Sequence, residues 1–127
     1  KDIENNQCVL VRRDNREKIF VSLDNLEESL SATIKNYAEA IYNKALANLE
    51  KRTFACTTID EINAKLAGNG DGFVKAMWCG EEECEDKVKE LTGVGSRCIP
   101  MEQENISDKC VCCGKPAKHM VVWGRQY

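Results

Sequence analysis

Two pairs of cysteines constrain the fold of this chain more than any other feature of its sequence. Cys79 and Cys84 are separated by four residues, Cys110 and Cys113 by two, and 25 residues lie between the pairs. Short Cys-x(n)-Cys turns deliver four thiolates to one tetrahedral Zn²⁺ ion at about 2.3 Å each. The four cysteines therefore predict a single zinc site. The 25 residues between the two pairs exceed the separation expected of a zinc ribbon and leave room for a helix and a strand. Gly114, after the second pair, can adopt a positive φ and turn backbone amides toward the sulfurs.

The predicted ligand set decides what kind of chemistry the site supports. Four thiolates leave no coordination position for water, so the zinc is predicted to be structural. Zn²⁺ with four thiolates has a net charge of about -2, which the flanking Lys109 and Lys115 would offset. Cys112 is an alternative ligand, but pairing it with the adjacent Cys113 would strain the turn. His119, the only histidine, is an alternative ligand or base, although an exterior strand position is favoured because four thiols are already present.

Composition narrows the class of protein. The chain has 127 residues and a formal net charge of -3, and 31% of its residues are charged. Its eight cysteines are compatible with disulfides, but the high charge and long amphipathic segments favour a reduced, cytoplasmic protein. The negative charge argues against an extensive basic surface for nucleic acid. Contact with RNA is expected to be local, for example at Arg12 and Arg13, which are otherwise interpreted as a solvated strand edge. The chain begins at Lys1 and shows no apolar leader or membrane span, so we expect part of a longer soluble protein.

The first half of the sequence predicts a hairpin followed by a long helix. β-prone runs at residues 7–13 and 17–23 flank Asp14-Asn15-Arg16. Two strands alone are marginally stable, so further strands of this sheet are expected elsewhere in the protein. Asp24 with Glu27 predicts the cap of a helix that reaches about Lys51. The apolar stripe of this helix widens toward its C-terminal end, which predicts two packing partners. The helix is therefore predicted to hold the upstream module against the zinc domain. The stripe contains Leu26, Leu30, Ile34, Tyr37 and Ile41, joined by Tyr42, Leu46 and Leu49.

The second half predicts a small α+β domain. Thr58 and Glu61 form a capping box for a short helix that buries Ile59, Ile62 and Leu66. A helix over 81–91 places Cys84, Val88 and Leu91 on its inward face, and its N-terminus should lower the pKa of the Cys84 thiol. Strands are predicted at residues 53–57, 73–78, 96–101 and 118–123. The predicted fold is a two-layer α+β sandwich with helices on one face of a small mixed or antiparallel sheet. The predicted domains are 1–23 (hairpin), 24–52 (connecting helix) and 53–127 (zinc domain).

Three further features have structural and functional interpretations. The glycine-rich run 68–72 lacks the Lys-Ser/Thr of a phosphate-binding loop, which favours a turn over a nucleotide site. The acidic residues of 81–86 favour a helix start over an acid/base pair. Cys98 has no partner at ligand spacing and is predicted to be a buried thiol. No nucleophile stands beside a base, so no catalysis is predicted within this chain.

The last 55 residues contain six short motifs, which are Trp78-Cys79-Gly80, Cys84-Glu85-Asp86-Lys87, Thr92-Gly93, Arg97-Cys98-Ile99-Pro100, Cys110-x-x-Cys113-Gly114-Lys115-Pro116-Ala117-Lys118 and Gly124-Arg125-x-Tyr127. Together they resemble the C-terminal zinc domain of archaeal/eukaryotic-type prolyl-tRNA synthetases. The upstream Val-Arg-Arg-Asp turn and long helix resemble the exit from that family's anticodon-binding domain, so the resemblance covers effectively the whole chain.

The resemblance implies a parent enzyme that activates proline with ATP and Mg²⁺ and attaches it to tRNA(Pro), with its catalytic domain upstream and a homodimeric state. It also implies that the carboxylate of Tyr127 packs toward the catalytic domain, against the alternative of a frayed tail. Two other functions compete with this one. An independent zinc-binding nucleic-acid or protein interaction module would need a basic face. A redox enzyme would need a rapidly reacting thiol in the metal-loaded protein.

Overall fold

The structure is a computed structural model that describes residues 2–67 and 72–125. The chain divides into two compact units, Lys1–Asn48 and Leu49–Tyr127. Among the described residues, no helix combines the length and apolar character needed to cross a bilayer.

The first unit contains the predicted hairpin. Strands β1 (Gln7–Val11) and β2 (Lys18–Ser22) pair antiparallel. Arg12 closes the turn, because its amide donates to the Glu17 carbonyl at 2.9 Å and its guanidinium pairs with Asp14 at 2.7 Å. The same guanidinium donates to Asn36 of the following helix. The Arg12 side chain therefore connects the hairpin turn to the helix within this unit.

A short 3₁₀ helix, Leu23–Asn25, leads into α1 (Leu26–Lys51). Asp24, the predicted cap, instead lies inside the 3₁₀ helix, whose N-cap is Ser22, with its hydroxyl accepting from the Asp24 amide. The Asp24 carboxylate instead accepts from the Asn6 side chain at 2.9 Å. No residue of α1 is buried, and the predicted apolar stripe leaves large side chains exposed at Leu30, Ile34, Ile41, Tyr42, Leu46 and Leu49.

The second unit is the predicted α+β sandwich. Its strands are β3 (Thr53–Ala55), β4 (Phe73–Trp78), β5 (Val94–Cys98) and β6 (His119–Arg125), in the order β3-β4-β6-β5. β3 and β4 are parallel and the other pairs antiparallel, which confirms a mixed sheet. Helices α2 (Ile59–Lys65) and α3 (Glu82–Thr92) contribute to the core. The core includes Ile62, Leu66, Val74, Ala76, Val88, Val94, Val121 and Trp123.

The cap of α2 uses the two predicted residues, Thr58 and Glu61, although the carboxylate bonds the residue before the N-cap. The Thr58 hydroxyl accepts from the Glu61 amide at 3.2 Å. The Glu61 carboxylate accepts from the Thr57 amide at 2.7 Å and from the Thr57 hydroxyl at 3.1 Å. Because both side chains satisfy backbone donors at the helix start, this short helix begins where the sequence indicates.

Two burial predictions are wrong. Cys98 is exposed rather than buried, because β5 begins and ends earlier than predicted and Cys98 is its last residue. On α3, Leu91 is 57% exposed and Thr92 is only 8% exposed, so the inward face continues from Val88 to Thr92 at the spacing of four residues.

Candidate metal centre

The first cysteine turn connects β4 to α3. Cys79 follows directly after Trp78, whose carbonyl accepts from the Lys118 amide at 2.8 Å and whose indole N–H donates to the Glu81 carbonyl at 3.1 Å. Gly80 has φ +91°, and the amide of Glu81 donates to the Cys79 sulfur. These bonds hold the end of the strand and the start of the helix in one compact turn.

The second cysteine turn has the same construction. The Cys110 amide donates to the Lys115 carbonyl at 2.8 Å, and the Gly114 amide donates to the Cys110 carbonyl at 3.0 Å. Gly114 has φ +70°, as predicted, and the amide of Lys115 donates to the Cys113 sulfur. The Val111 amide donates to the Met77 carbonyl of β4 at 2.9 Å, which attaches this turn to the sheet beside the first.

The structure brings the four predicted cysteines together. The sulfur atoms of Cys79, Cys84, Cys110 and Cys113 all lie within 4.8 Å of one another. Cys113 and Cys79 are 3.8 Å apart, sulfur to sulfur. A tetrahedral ion with sulfur at about 2.3 Å requires sulfur–sulfur distances of about 3.8 Å. The donor set and its spacing therefore fit a tetrathiolate metal site.

Burial divides the four thiols into two kinds. Cys79, Cys84 and Cys110 are buried, whereas Cys113 is exposed. Burial raises the pKa of the Cys84 thiol, so desolvation outweighs the lowering predicted from the helix N-terminus. Burial also raises the pKa of Cys79. The Lys115 amide lowers the pKa of Cys113 to about 7. A metal ion that binds here must displace protons from buried thiols, so its affinity should rise with pH.

The other candidate residues lie around this cluster or outside it. Cys112 is half-buried and packs against the cluster of the three buried cysteines, outside the four-sulfur group. His119 is exposed on β6, as predicted, with its ring tilted 42° to that of Trp78 and 6.4 Å from it. Tyr127 and residues 68–71 of the glycine-rich run lie outside the described residues.

Two contributors to the centre were not predicted from the sequence. Gly80 matches Gly114 in position and in the sign of φ, and the dipeptide Cys-Gly, which occurs at both turns, was the available signal. A Cβ placed on Gly80 would lie 3.4 Å from Cδ and 3.6 Å from Nζ of Lys118. Lys118 therefore brings a cation beside the first turn, whereas the sequence indicated only Lys109 and Lys115 for this role.

Comparison with known proteins places this cluster in a family. Residues 59–127 match the family model described as "Prolyl-tRNA synthetase, C-terminal". The chain is 58% identical over 127 residues to a proline–tRNA ligase of Ruminiclostridium cellulolyticum and 53% identical to one of Clostridium novyi. Each alignment covers all of this chain and 26% of the relative, so the chain spans about a quarter of their length.

A solved structure gives the same result for the fold. Prolyl-tRNA synthetase from Cryptosporidium parvum, complexed with L-proline and AMP, superposes with a TM-score of 0.90 at 30% sequence identity. The match covers 99% of this chain and 27% of that one. Because the family model matches more than half of the chain and the fold agrees over nearly all of it, this chain belongs to the prolyl-tRNA synthetase C-terminal family.

Proposed function

We propose that this chain is the C-terminal part of a proline–tRNA ligase, the class II enzyme that activates proline with ATP and attaches it to tRNA(Pro). The observation that carries the proposal is the four-thiol cluster inside a domain of this family. Residues 53–127 form its zinc domain, residues 24–52 a connecting helix, and residues 1–23 the end of the anticodon-binding domain. The match to the Cryptosporidium parvum enzyme over 99% of this chain supports the archaeal/eukaryotic type.

The ion in this proposal is Zn²⁺, held by Cys79, Cys84, Cys110 and Cys113. Four thiol donors, three of them buried, suit zinc better than oxygen-preferring ions. Bound there, zinc supplies a structural crosslink and no reaction step. The chain's own residues connect β4 and α3 to the loop before β6, and this part of the enzyme supports the upstream domains. Catalytic residues, ATP and Mg²⁺ belong to those domains.

The remaining partners follow from the parent enzyme. They are tRNA(Pro), proline and ATP, in a homodimer located in the cytoplasm. The names of the relatives support the substrates. Tyr127 is proposed to dock its carboxylate toward the catalytic domain.

Metal analysis of the parent enzyme tests the proposal. We expect one zinc per chain in the wild type and in Cys112→Ser, and less than one in Cys79→Ser. Proline-dependent exchange of pyrophosphate into ATP should be present in the wild type. A metal-free wild type with disulfides among these cysteines would contradict the zinc assignment, and absent exchange would contradict the enzyme assignment.

A further inference from the structure

The four cysteines of the metal centre differ in their access to solvent. Cys79, Cys84 and Cys110 are 3%, 7% and 3% exposed, whereas Cys113 is an exposed residue. A soluble oxidant that approaches the centre therefore meets Cys113 before it meets the other three cysteines. Reactivity of a cysteine toward oxidants follows its exposure and its thiolate character.

The surroundings of Cys113 favour its thiolate form. The Lys115 amide donates a hydrogen bond to the Cys113 sulfur. A donor to the charged form of a group stabilises that form, and so does a coordinated metal ion. The thiolate is the form of cysteine that attacks peroxides. Cys113 thus combines access to solvent with the reactive state of its sulfur.

A second sulfur lies within reach of Cys113. The Sγ atoms of Cys113 and Cys79 are 3.8 Å apart. A disulfide has an S–S length of about 2.05 Å, so the two sulfurs need to approach each other by less than about 2 Å. Reversible oxidation sites in proteins commonly pair an exposed thiolate with a neighbouring thiol that resolves it. Cys79 is placed to resolve an oxidised Cys113.

We propose that Cys113 is a modification site for peroxides, and that its oxidation produces a Cys79–Cys113 disulfide and frees the bound zinc. The zinc in this inference rests on the proposed function. In the first step, the Cys113 thiolate attacks one peroxide oxygen. An S–O bond forms and the O–O bond breaks. The sulfur loses two electrons to the peroxide, and the leaving hydroxide takes a proton to become water.

In the second step, the Cys79 thiolate attacks the sulfenic acid of Cys113. An S–S bond forms, the S–O bond breaks, and the leaving hydroxide takes a proton to become a second water. Cys84 and Cys110 are then the two remaining thiolates, too few for a closed tetrahedral site, and they take up protons as Zn²⁺ leaves. One peroxide and four protons thus convert the zinc-bound cluster into one disulfide, two thiols, two waters and free Zn²⁺.

The modification changes which segments the centre connects. The disulfide still joins the two cysteine turns, but Cys84, which lies on α3, loses its connection to them. A reducing thiol cleaves the disulfide by exchange, so that the four thiolates can bind zinc again. The centre would thereby act as a reversible switch that detaches the start of α3 under oxidising conditions.

Treatment of the reduced, zinc-loaded parent enzyme with hydrogen peroxide tests the proposal. A chromophoric chelator should record the release of one zinc per chain, and peptide mass spectrometry should find the Cys79–Cys113 disulfide in the same proportion. Dimedone captures sulfenic acids, so when it is present during oxidation it should label Cys113 among the four cysteines of the centre. Dithiothreitol with added zinc should restore the metal content.

Cys112→Ser and Cys98→Ser are the matched controls. Cys112 is the half-buried thiol next to Cys113, and Cys98 is an exposed thiol outside the four-sulfur group. Both variants should release zinc at the wild-type rate and form the same disulfide. Loss of the disulfide in Cys112→Ser would show that Cys112 is the reacting thiol, which overturns the assignment.

The outcomes separate this inference from the proposed function. Release of zinc without a Cys79–Cys113 disulfide, or a dimedone label on a buried cysteine in place of Cys113, overturns the switch and leaves the zinc and enzyme assignments intact. Retention of zinc after Cys98 has been fully oxidised has the same meaning. Absence of zinc from the untreated, reduced enzyme overturns the zinc assignment and this inference with it.

Discussion

At the residue scale, the two glycines of the cysteine turns have backbone conformations that favour glycine. Gly80 and Gly114 follow proposed ligands with φ +91° and +70°, and each is followed by a residue whose amide binds a thiol sulfur. A Cβ at positive φ costs about 1–2 kcal/mol in backbone strain. Substitution therefore strains the turn that orients a sulfur atom.

Gly114→Ala is expected to lower both the stability and the zinc affinity of the domain. Gly93→Ala is the matched control, because Gly93 also has φ +70° and, like Gly114, has open space where a Cβ would lie. Both variants should lose about 1–2 kcal/mol of unfolding free energy. Chelator competition should show weaker zinc binding for Gly114→Ala alone. Equal zinc affinity in the two variants would contradict a role for Gly114 in orienting Cys113.

Gln103 compensates for the early end of β5. Its side chain accepts from the Met120 amide at 2.7 Å and donates to the Met120 carbonyl at 3.3 Å and the Pro100 carbonyl at 2.7 Å. Pro100 has no amide hydrogen with which to extend the strand pairing. The side chain of Gln103 thus takes the position of a strand partner for Met120.

Gln103→Ala should destabilise the domain by about 1–3 kcal/mol, because it leaves partly buried backbone groups of β6 without partners. The exposed neighbour Glu102 offers a control, and Glu102→Ala should change the unfolding free energy by less than about 0.5 kcal/mol. Urea unfolding measures both variants. Similar stability in the two would mean that water replaces Gln103 at no net loss.

At the element scale, helix α2 depends on its first turn. It has seven residues, too few for an isolated helix to be stable. Its capping box and the burial of Ile62 therefore hold it in place. The hydrogen bonds from Thr57 lower the pKa of the Glu61 carboxyl from 4.5, with the Thr57 amide as the largest cause.

This lowered pKa predicts how the contribution of Glu61 depends on pH. Because the folded pKa lies below the unfolded one, the stabilisation is fully present above pH 4.5 and is lost as pH falls through the folded pKa. The stability difference between wild type and Glu61→Gln should therefore shrink in acid. Asp60→Asn, in the same turn, is the control. Unfolding midpoints measured from about pH 7 down to about pH 3 test this, and a constant difference would contradict it.

At the scale of the whole molecule, the two units depend on different interactions. The unit Lys1–Asn48 is held by the hairpin, the Arg12 contacts and the first part of α1. The unit Leu49–Tyr127 contains the sheet and the four thiols. Metal removal should therefore act on the second unit first.

If the proposed zinc is bound, its chelation should increase hydrogen exchange at the amides of β4, α3 and β6, because the crosslink between the two cysteine turns is lost. The amides of β1 and β2 should keep their exchange rates. Hydrogen exchange with mass spectrometry resolves these segments. Equal loss of protection in both units would show that they unfold as one.

Local interactions explain which features the sequence by itself determined. The hairpin, the α2 capping box, the positive φ of Gly114 and the convergence of the four cysteines depend on residues close in sequence or on fixed ligand chemistry. Helical periodicity also predicted the burial of Ile62, Leu66 and Val88, which the structure confirms. Only the tertiary structure decided the burial of side chains near the ends of elements and in the cysteine turns: it exposes Cys98 and Leu91 and keeps Cys113 at the surface. Burial at these positions depends on contacts with residues distant along the chain.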